Sequence, residues 1–198
     1  MKAIVGIVCM LLFGIIAKAQ WFQLTKQRNI GVGGIIGGLV AGPYYTHNQI
    51  HRLPNGNLCL TTTASQDTLY DKTVWGYGDN DGWYLEIDSE FNSVKQWIIG
   101  GDTTDILSDF ILTSDTCMLS LFISNSDSSF DKSQNNKGDN DYWIVKTDMN
   151  GNKLWDITLG SQYEDVPSRI YETSDSTYLV LGNSRTEFPS GDVSDSAG

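Results

Sequence analysis

The segment Gly78-Asp79-Asn80-Asp81-Gly82-Trp83 returns as Gly138-Asp139-Asn140-Asp141-Tyr142-Trp143, at a constant step in the numbering. The same step carries Asp88 to Asp148, Gly100 to Gly160, Asp105 to Asp165, and Thr113-Ser114-Asp115 to Thr173-Ser174-Asp175. No gap is needed between those matches, so the register extends well beyond one polar motif. Backwards, Tyr70-Asp71-Lys72 matches Phe130-Asp131-Lys132, and Ile50 matches Phe110 and Ile170. A chain that repeats at this spacing is read as stacked supersecondary units, each burying its apolar faces against its neighbours.

Within one copy the pattern is strand and turn. Tyr142 to Thr147 is aromatic and β-branched, Asn150-Gly151-Asn152 reads as a hairpin turn, and Leu154 to Leu159 alternates apolar and polar residues. Ser168 to Glu172, a turn at Ser174-Asp175-Ser176, and Tyr178 to Leu181 complete four strands. The preceding copy places Trp83 to Ile87, Val94 to Ile99, Asp109 to Leu112 and Met118 to Ile123 in the corresponding positions. No segment beyond the N-terminus sustains a helical period, so helix content is expected to be low. The predicted fold is all-β: tandem four-stranded antiparallel blades of a β-propeller, incomplete within this chain. A sandwich of two duplicated sheets is the competing architecture, and a β-solenoid fits less well because its coils are shorter.

Three domains follow. Residues 1–19 read as a signal peptide: Lys2 leads an apolar run from Ile4 to Ala17, and Ala17-Lys18-Ala19 offers small side chains for cleavage before Gln20. The run is short for a membrane span. Residues 20–49 are an N-terminal β lead-in or partial blade, and residues 50–198 hold the repeats. Gly198 stands where Gly138 does, just ahead of the next aromatic strand. The expectation is therefore an array continued by further blades in a longer protein, continued by other chains, or truncated.

The series from Gly138 to Asp148, then Asn150-Gly151-Asn152-Lys153-Leu154-Trp155, Leu159-Gly160, Thr173-Ser174-Asp175 and Tyr178 to Gly182 resembles the repeats of secreted propeller-like proteins from the Bacteroidetes. Such proteins often end in a type 9 secretion sorting domain, which this sequence does not contain. The resemblance implies export and assigns no catalytic residue. The earlier copy departs from the usual form: Ser89-Glu90-Phe91-Asn92 replaces the asparagine-glycine turn, and Thr116-Cys117 stands where glycines are common.

Charge narrows the partners. The chain carries 13 basic and 24 acidic residues, and removing residues 1–19 deletes Lys2 and Lys18 but no acid. A strongly acidic surface repels phosphate backbones and anionic membranes, so no nucleic acid and no stable membrane insertion after signal cleavage are expected. Protein or glycan partners fit better, at a secreted or cell-surface location. Cys59 and Cys117 make no metal or staple pattern, and read as buried thiols with one bridge as the alternative.

Candidate chemistry is sparse. Asp79, Asp81, Asp139 and Asp141 recur beside glycines and suit a hard cation such as calcium. The competing reading is a set of turns held by side-chain to backbone hydrogen bonds. Asp148 to Asn152 carries the same ambiguity. His47 and His51 lack a third ligand, the glycines from Gly31 to Gly38 lack a phosphate-loop lysine, and no nucleophile motif is present. Trp83, Trp97, Trp143 and Trp155 read as packing between blades, with a sugar-stacking platform as the sharper alternative. No catalytic residue and no cofactor are expected. The functional expectation is an exported noncatalytic repeat scaffold or binding protein engaging protein or glycan through rim loops. The alternative is a polysaccharide-acting enzyme whose active residues lie mostly outside this chain.

Overall fold

The structure is a computed structural model, and it describes residues 48–68, 71–173, 177–185 and 190–192. The signal segment, the lead-in to residue 47, the glycine run, His47 and the turn at Ser174-Asp175-Ser176 lie outside the described residues. What is described is all-β and antiparallel.

Ten strands occur among the described residues: β1 (Gln49–Arg52), β2 (Leu58–Ser65), β3 (Asn80–Ile87), β4 (Ser93–Ile99), β5 (Asp105–Leu112), β6 (Met118–Ser124), β7 (Asp141–Thr147), β8 (Lys153–Leu159), β9 (Asp165–Glu172) and β10 (Tyr178–Ser184). They form two four-stranded sheets, β1-β2-β3-β4 and β5-β6-β7-β8, and a two-stranded sheet β9-β10. Each strand pairs with its sequence neighbour, so every sheet is a meander. The hydrogen-bonded sheet therefore starts at β5, halfway through the copy delimited by sequence similarity, and joins the second half of one copy to the first half of the next.

The sheets stack through alternating faces, as the two-residue period of a strand requires. One face of β5-β8 contributes Leu107, Phe110, Met118, Phe122, Trp143 and Val145 to a cluster with Cys59, Tyr84, Trp97 and Ile99 of the first sheet. The opposite face places Leu119, Leu121 and Ile144 against Ile170, with Tyr178 and Val180 alongside. Tyr84 crosses the first boundary and donates from Oη to Ser120 Oγ at 2.6 Å. Asp109 on β5 links both neighbours: Oδ1 accepts from Gln49 Nε2 at 2.6 Å and Oδ2 accepts from the Ile170 amide at 2.9 Å. The first strands β1, β5 and β9 thus lie side by side, while β4 and β8 stand apart.

The tryptophans divide. Trp83 and Trp143 are buried and donate from Nε1 to Gln96 Oε1 and Asp156 Oδ2, each at 3.0 Å. Trp97 is buried against Tyr84, with ring centroids 5.1 Å apart. Three of the four are core, and only Trp155 on β8 is part-exposed. Neither Cys59 nor Cys117 is bridged; Cys59 is buried, whereas Cys117 precedes β6 and is only half-buried.

Turns repeat with the strands. Asp148 Oδ1 accepts the amides of Asn150 and Asn152, as Asp88 Oδ1 accepts those of Glu90 and Asn92. The hairpin at 148–152 is wider than a two-residue asparagine-glycine turn: the Asp148 amide bonds Asn152 O, and Gly151 alone takes a positive φ, +81°. Its counterpart is Phe91 at +64°, so the earlier copy keeps the backbone shape without the glycine.

Candidate functional site

The four aspartates singled out by the repeat separate into two kinds. Asp79 and Asp139 are exposed, just outside their strands. Asp81 and Asp141, the second residue of β3 and the first of β7, are fully buried. Asp81 Oδ2 accepts the amides of Tyr77 at 2.6 Å and Gly78 at 3.3 Å, and Asp141 Oδ2 accepts the amide of Lys137. Each carboxylate closes the loop that enters its strand by accepting amides three or four residues back along the chain.

Each buried aspartate has a second carboxylate close by, at a position to which the sequence assigned no role. A Cβ built on Gly100 would fall 1.8 Å from Asp81 Oδ1, and one on Gly101 would fall 3.2 Å from Asp105 Oδ2. A Cβ on Gly160 would meet Asp141 Oδ1 at 2.0 Å and Asp165 Oδ2 at 3.0 Å. Glycine at 100 and 160 is therefore demanded by the carboxylate packed on its Cα. Asp105 Oδ2 accepts the Gly101 amide at 2.6 Å and Ser126 Oγ at 2.9 Å, and Asp165 Oδ2 accepts the Ser161 amide at 2.6 Å. Burial pushes the Asp81 carboxyl up to about 7 against the pull of its two amide donors. It raises Asp105 and Asp141 in the same direction.

The positive charge in these loops is a lysine. Lys132 is buried and donates from Nζ to Ser124 Oγ at 2.8 Å, Ser126 O at 2.7 Å and Asn136 Oδ1 at 2.9 Å, which uses all three of its protons. Lys72, its counterpart one repeat earlier, donates to the carbonyls of Gln66, Asp67 and Val74. Desolvation lowers both ammonium groups from the usual lysine range. An ammonium ringed by oxygens ties together Gln66, Asp67 and Val74 in one loop and Ser124, Ser126 and Asn136 in the other, much as a bound cation would. Among the described residues, no three His, Cys, Asp or Glu side chains converge as a metal requires. The four candidate aspartates do not meet: Asp81 and Asp141 serve separate sheets, and the oxygens of Asp148 are taken by Asn150 and Asn152.

Lys72 and Lys132 were visible as an aromatic-Asp-Lys match in the sequence, but a lysine in a polar linker reads as solvated until its burial is known. His51 lies edge-on to Phe110 at 4.9 Å and burial lowers its pKa; its polar contact is Gln49. Exposed aromatic rings also occur in the loops before β3 and β7: Trp75, Tyr77 and Phe130, with Tyr77 and Phe130 stacked at 4.5 Å and 10°; Tyr163 and Tyr171 are exposed as well.

The hydrogen bonding that holds the second of these loops recurs beyond β9. Asp131 donates its amide to Gly100 O and accepts the Gly100 amide on Oδ2, and Asp192 does both to Gly160. Ser129 Oγ accepts the Asp102 amide as Ser190 Oγ accepts that of Gln162. These contacts equate 129–131 with 190–192, so the loop has gained one residue over the strict period. No known family model matches the chain, and no curated protein resembles it in sequence.

Proposed function

We propose that this chain is an exported, noncatalytic scaffold whose sheets are blades of a β-propeller and whose rim loops engage a protein or a glycan. The observation that carries the reading is the contrast between framework and loop. Buried aspartates, glycines and lysines fix the backbone of equivalent loops in the same way, while exposed positions on those loops change from copy to copy. A fixed loop backbone with variable tips is how a rigid sheet framework presents a binding surface. The blade reading is supported by the side-by-side first strands β1, β5 and β9 and the separation of β4 from β8, since blades radiate from an axis lined by their innermost strands. Export rests on the N-terminal apolar run, and the acidic surface favours partners that carry no phosphate.

The test is capture by the full-length secreted product on a glycan array and in pull-downs from its own culture medium, in parallel with hydrolase screening on polysaccharides. The expected result is saturable binding to one ligand class without turnover. Turnover of a polysaccharide would replace the scaffold with an enzyme, and a folded protein that captures nothing would leave a purely structural role.

A further inference from the structure

Phe130 is the residue whose placement the fold explains least. It sits at φ +45°, a left-handed conformation that costs a bulky L-residue roughly 1–2 kcal/mol. Its equivalent after the one-residue insertion is Gly191 at φ +58°, the residue type such a turn favours. The turn is tightly held: Ser129 and Lys132 exchange backbone hydrogen bonds, Asp131 is bonded to Gly100 on both its amide and its carboxylate, and Lys153 Nζ donates to Asp131 O. The chain thus fixes a strained phenylalanine on a rigid turn and then leaves 65% of its surface in solvent.

Joining the two loops does not explain the ring. One step on, Lys137 replaces Tyr77 and Gly191 replaces Phe130, and an ion pair between Lys137 and Asp192 joins the equivalent segments instead. The Tyr77–Phe130 stack covers one face of the phenylalanine, and the residue as a whole still keeps 65% of its surface exposed. Trp75, 67% exposed, lies two residues before Tyr77 on the same loop. Around them the surface is polar. Asp102 and Asp127 are exposed carboxylates, and Ser129, which precedes Phe130, accepts from the Asp102 amide and donates to Asp127 O.

We infer that Phe130, Tyr77 and Trp75 form a stacking platform for a neutral oligosaccharide. This rests on the rim-loop reading above and gives it a location and a ligand class. A pyranose ring has an apolar C–H face and an edge of hydroxyls, and its complement is an exposed aromatic face bordered by carboxylate and hydroxyl acceptors. A protein partner would call for a wider apolar area than three rings in a polar rim. An anionic glycan would be repelled by Asp102, Asp127 and a chain of net charge −11.

The experiment uses the full chain and calorimetric titration with hexamers of β-1,4-glucose, β-1,3-glucose and β-1,4-mannose, with oligogalacturonate as the charged control. Binding of at least one neutral hexamer and not of the control is expected. Phe130→Gly should weaken it by at least about tenfold, as loss of an exposed aromatic anchor does. Because glycine suits this φ, the same variant should melt at an unchanged temperature or roughly 2–4 °C higher. Phe130→Tyr should retain binding, and Trp75→Ala should weaken it. A sharp drop in melting temperature for Phe130→Gly would make the ring a structural staple and end the proposal. Undiminished binding by Phe130→Gly would move the site elsewhere while leaving the rim-loop scaffold intact. Failure of every neutral hexamer on the wild-type chain would also overturn it, and the pull-down arm would then decide the broader reading separately.

Discussion

β6 and β10 occupy equivalent positions one repeat apart, and their surroundings differ more than their sequences do. Met118–Ser124 is buried along its whole length, between β5 and β7 within its sheet and with a sheet packed on each face. Tyr178–Ser184 pairs with β9 alone among the described residues and is largely exposed. Leu119 and Leu121 have no solvent exposure; their counterparts Leu179 and Leu181 keep about half of theirs, as do Tyr171 on β9 and Leu154 on β8. The apolar pattern on β10 is that of a strand meant to be covered on both sides. What separates core from surface in this chain is the presence of neighbours rather than the composition of the strand.

The most direct way to break that comparison is a matched pair of truncations. Leu121→Ala removes a side chain with no exposed surface and should destabilise the full chain by about 4 kcal/mol, near the upper part of the range for buried leucine. Leu181→Ala, at the same repeat position but 47% exposed, should cost less than about 1 kcal/mol. Chemical denaturation followed by tryptophan fluorescence measures both. Equal losses would mean that β10 is covered in solution and that the contrast between the strands is false.

A second comparison concerns the acids at the sheet ends. The Asp81 carboxyl, buried against Gly100, is raised to about 7. A carboxyl whose folded pKa exceeds its unfolded value favours the folded state at low pH, and that contribution is lost as pH rises from about 4 to about 7. Between pH 5 and pH 6.5 the wild-type chain should therefore lose about 2 kcal/mol from this group, at about 1.4 kcal/mol per pH unit. Asp81→Asn, which can still accept the Tyr77 and Gly78 amides, should show none of that loss. The difference in unfolding free energy between variant and wild type, measured across this interval, should widen by that amount in favour of the variant. A constant difference would place a charged Asp81 in the fold at every pH tested.

Much of this architecture is legible in the residues, and the illegible parts have definite causes. The constant repeat step locates β3 to β10, because apolar alternation and the Gly-Asp-Asn-Asp and Thr-Ser-Asp segments survive in both copies. The division into sheets is not legible: similarity marks where copies begin, whereas hydrogen bonding joins β5 to β8 across that boundary. β5 and β9 also begin at Asp105 and Asp165, earlier than the Asp109 and Ser168 at which the sequence pattern starts them, because a register shift between Leu107 and Asp109 breaks the alternation in β5 and Pro167 reads as a break in β9. The roles of Lys72 and Lys132 depend on burial among carbonyls from their own loops, which no periodicity reveals. One exchange across the repeat shows why polar contacts resist prediction. Asn55 donates to Glu86 at 2.9 Å, and one repeat later Lys146 donates to Asp115 at 2.6 Å, so the contact is kept while donor and acceptor trade places.

The turns sharpen the comparison at its smallest scale. Gly56 and Thr116 are equivalent, and each closes its turn by donating its amide to the carbonyl three residues back, Leu53 and Thr113 respectively. Gly56 has φ +89° and open space around it, while Thr116, β-branched and exposed, is held at +58°. A β-branched residue there is strained where glycine is not. Thr116→Gly should therefore stabilise the chain by about 1 kcal/mol, less a small loss from the Thr116 Oγ1 to Asp115 O hydrogen bond. Gly56→Thr should destabilise it by about the same amount, although nothing nearby would clash. Opposite signs from the two substitutions, read in thermal unfolding, would show that backbone conformation alone sets the preference; a loss in both would mean that Thr116 makes a contact whose value exceeds its strain.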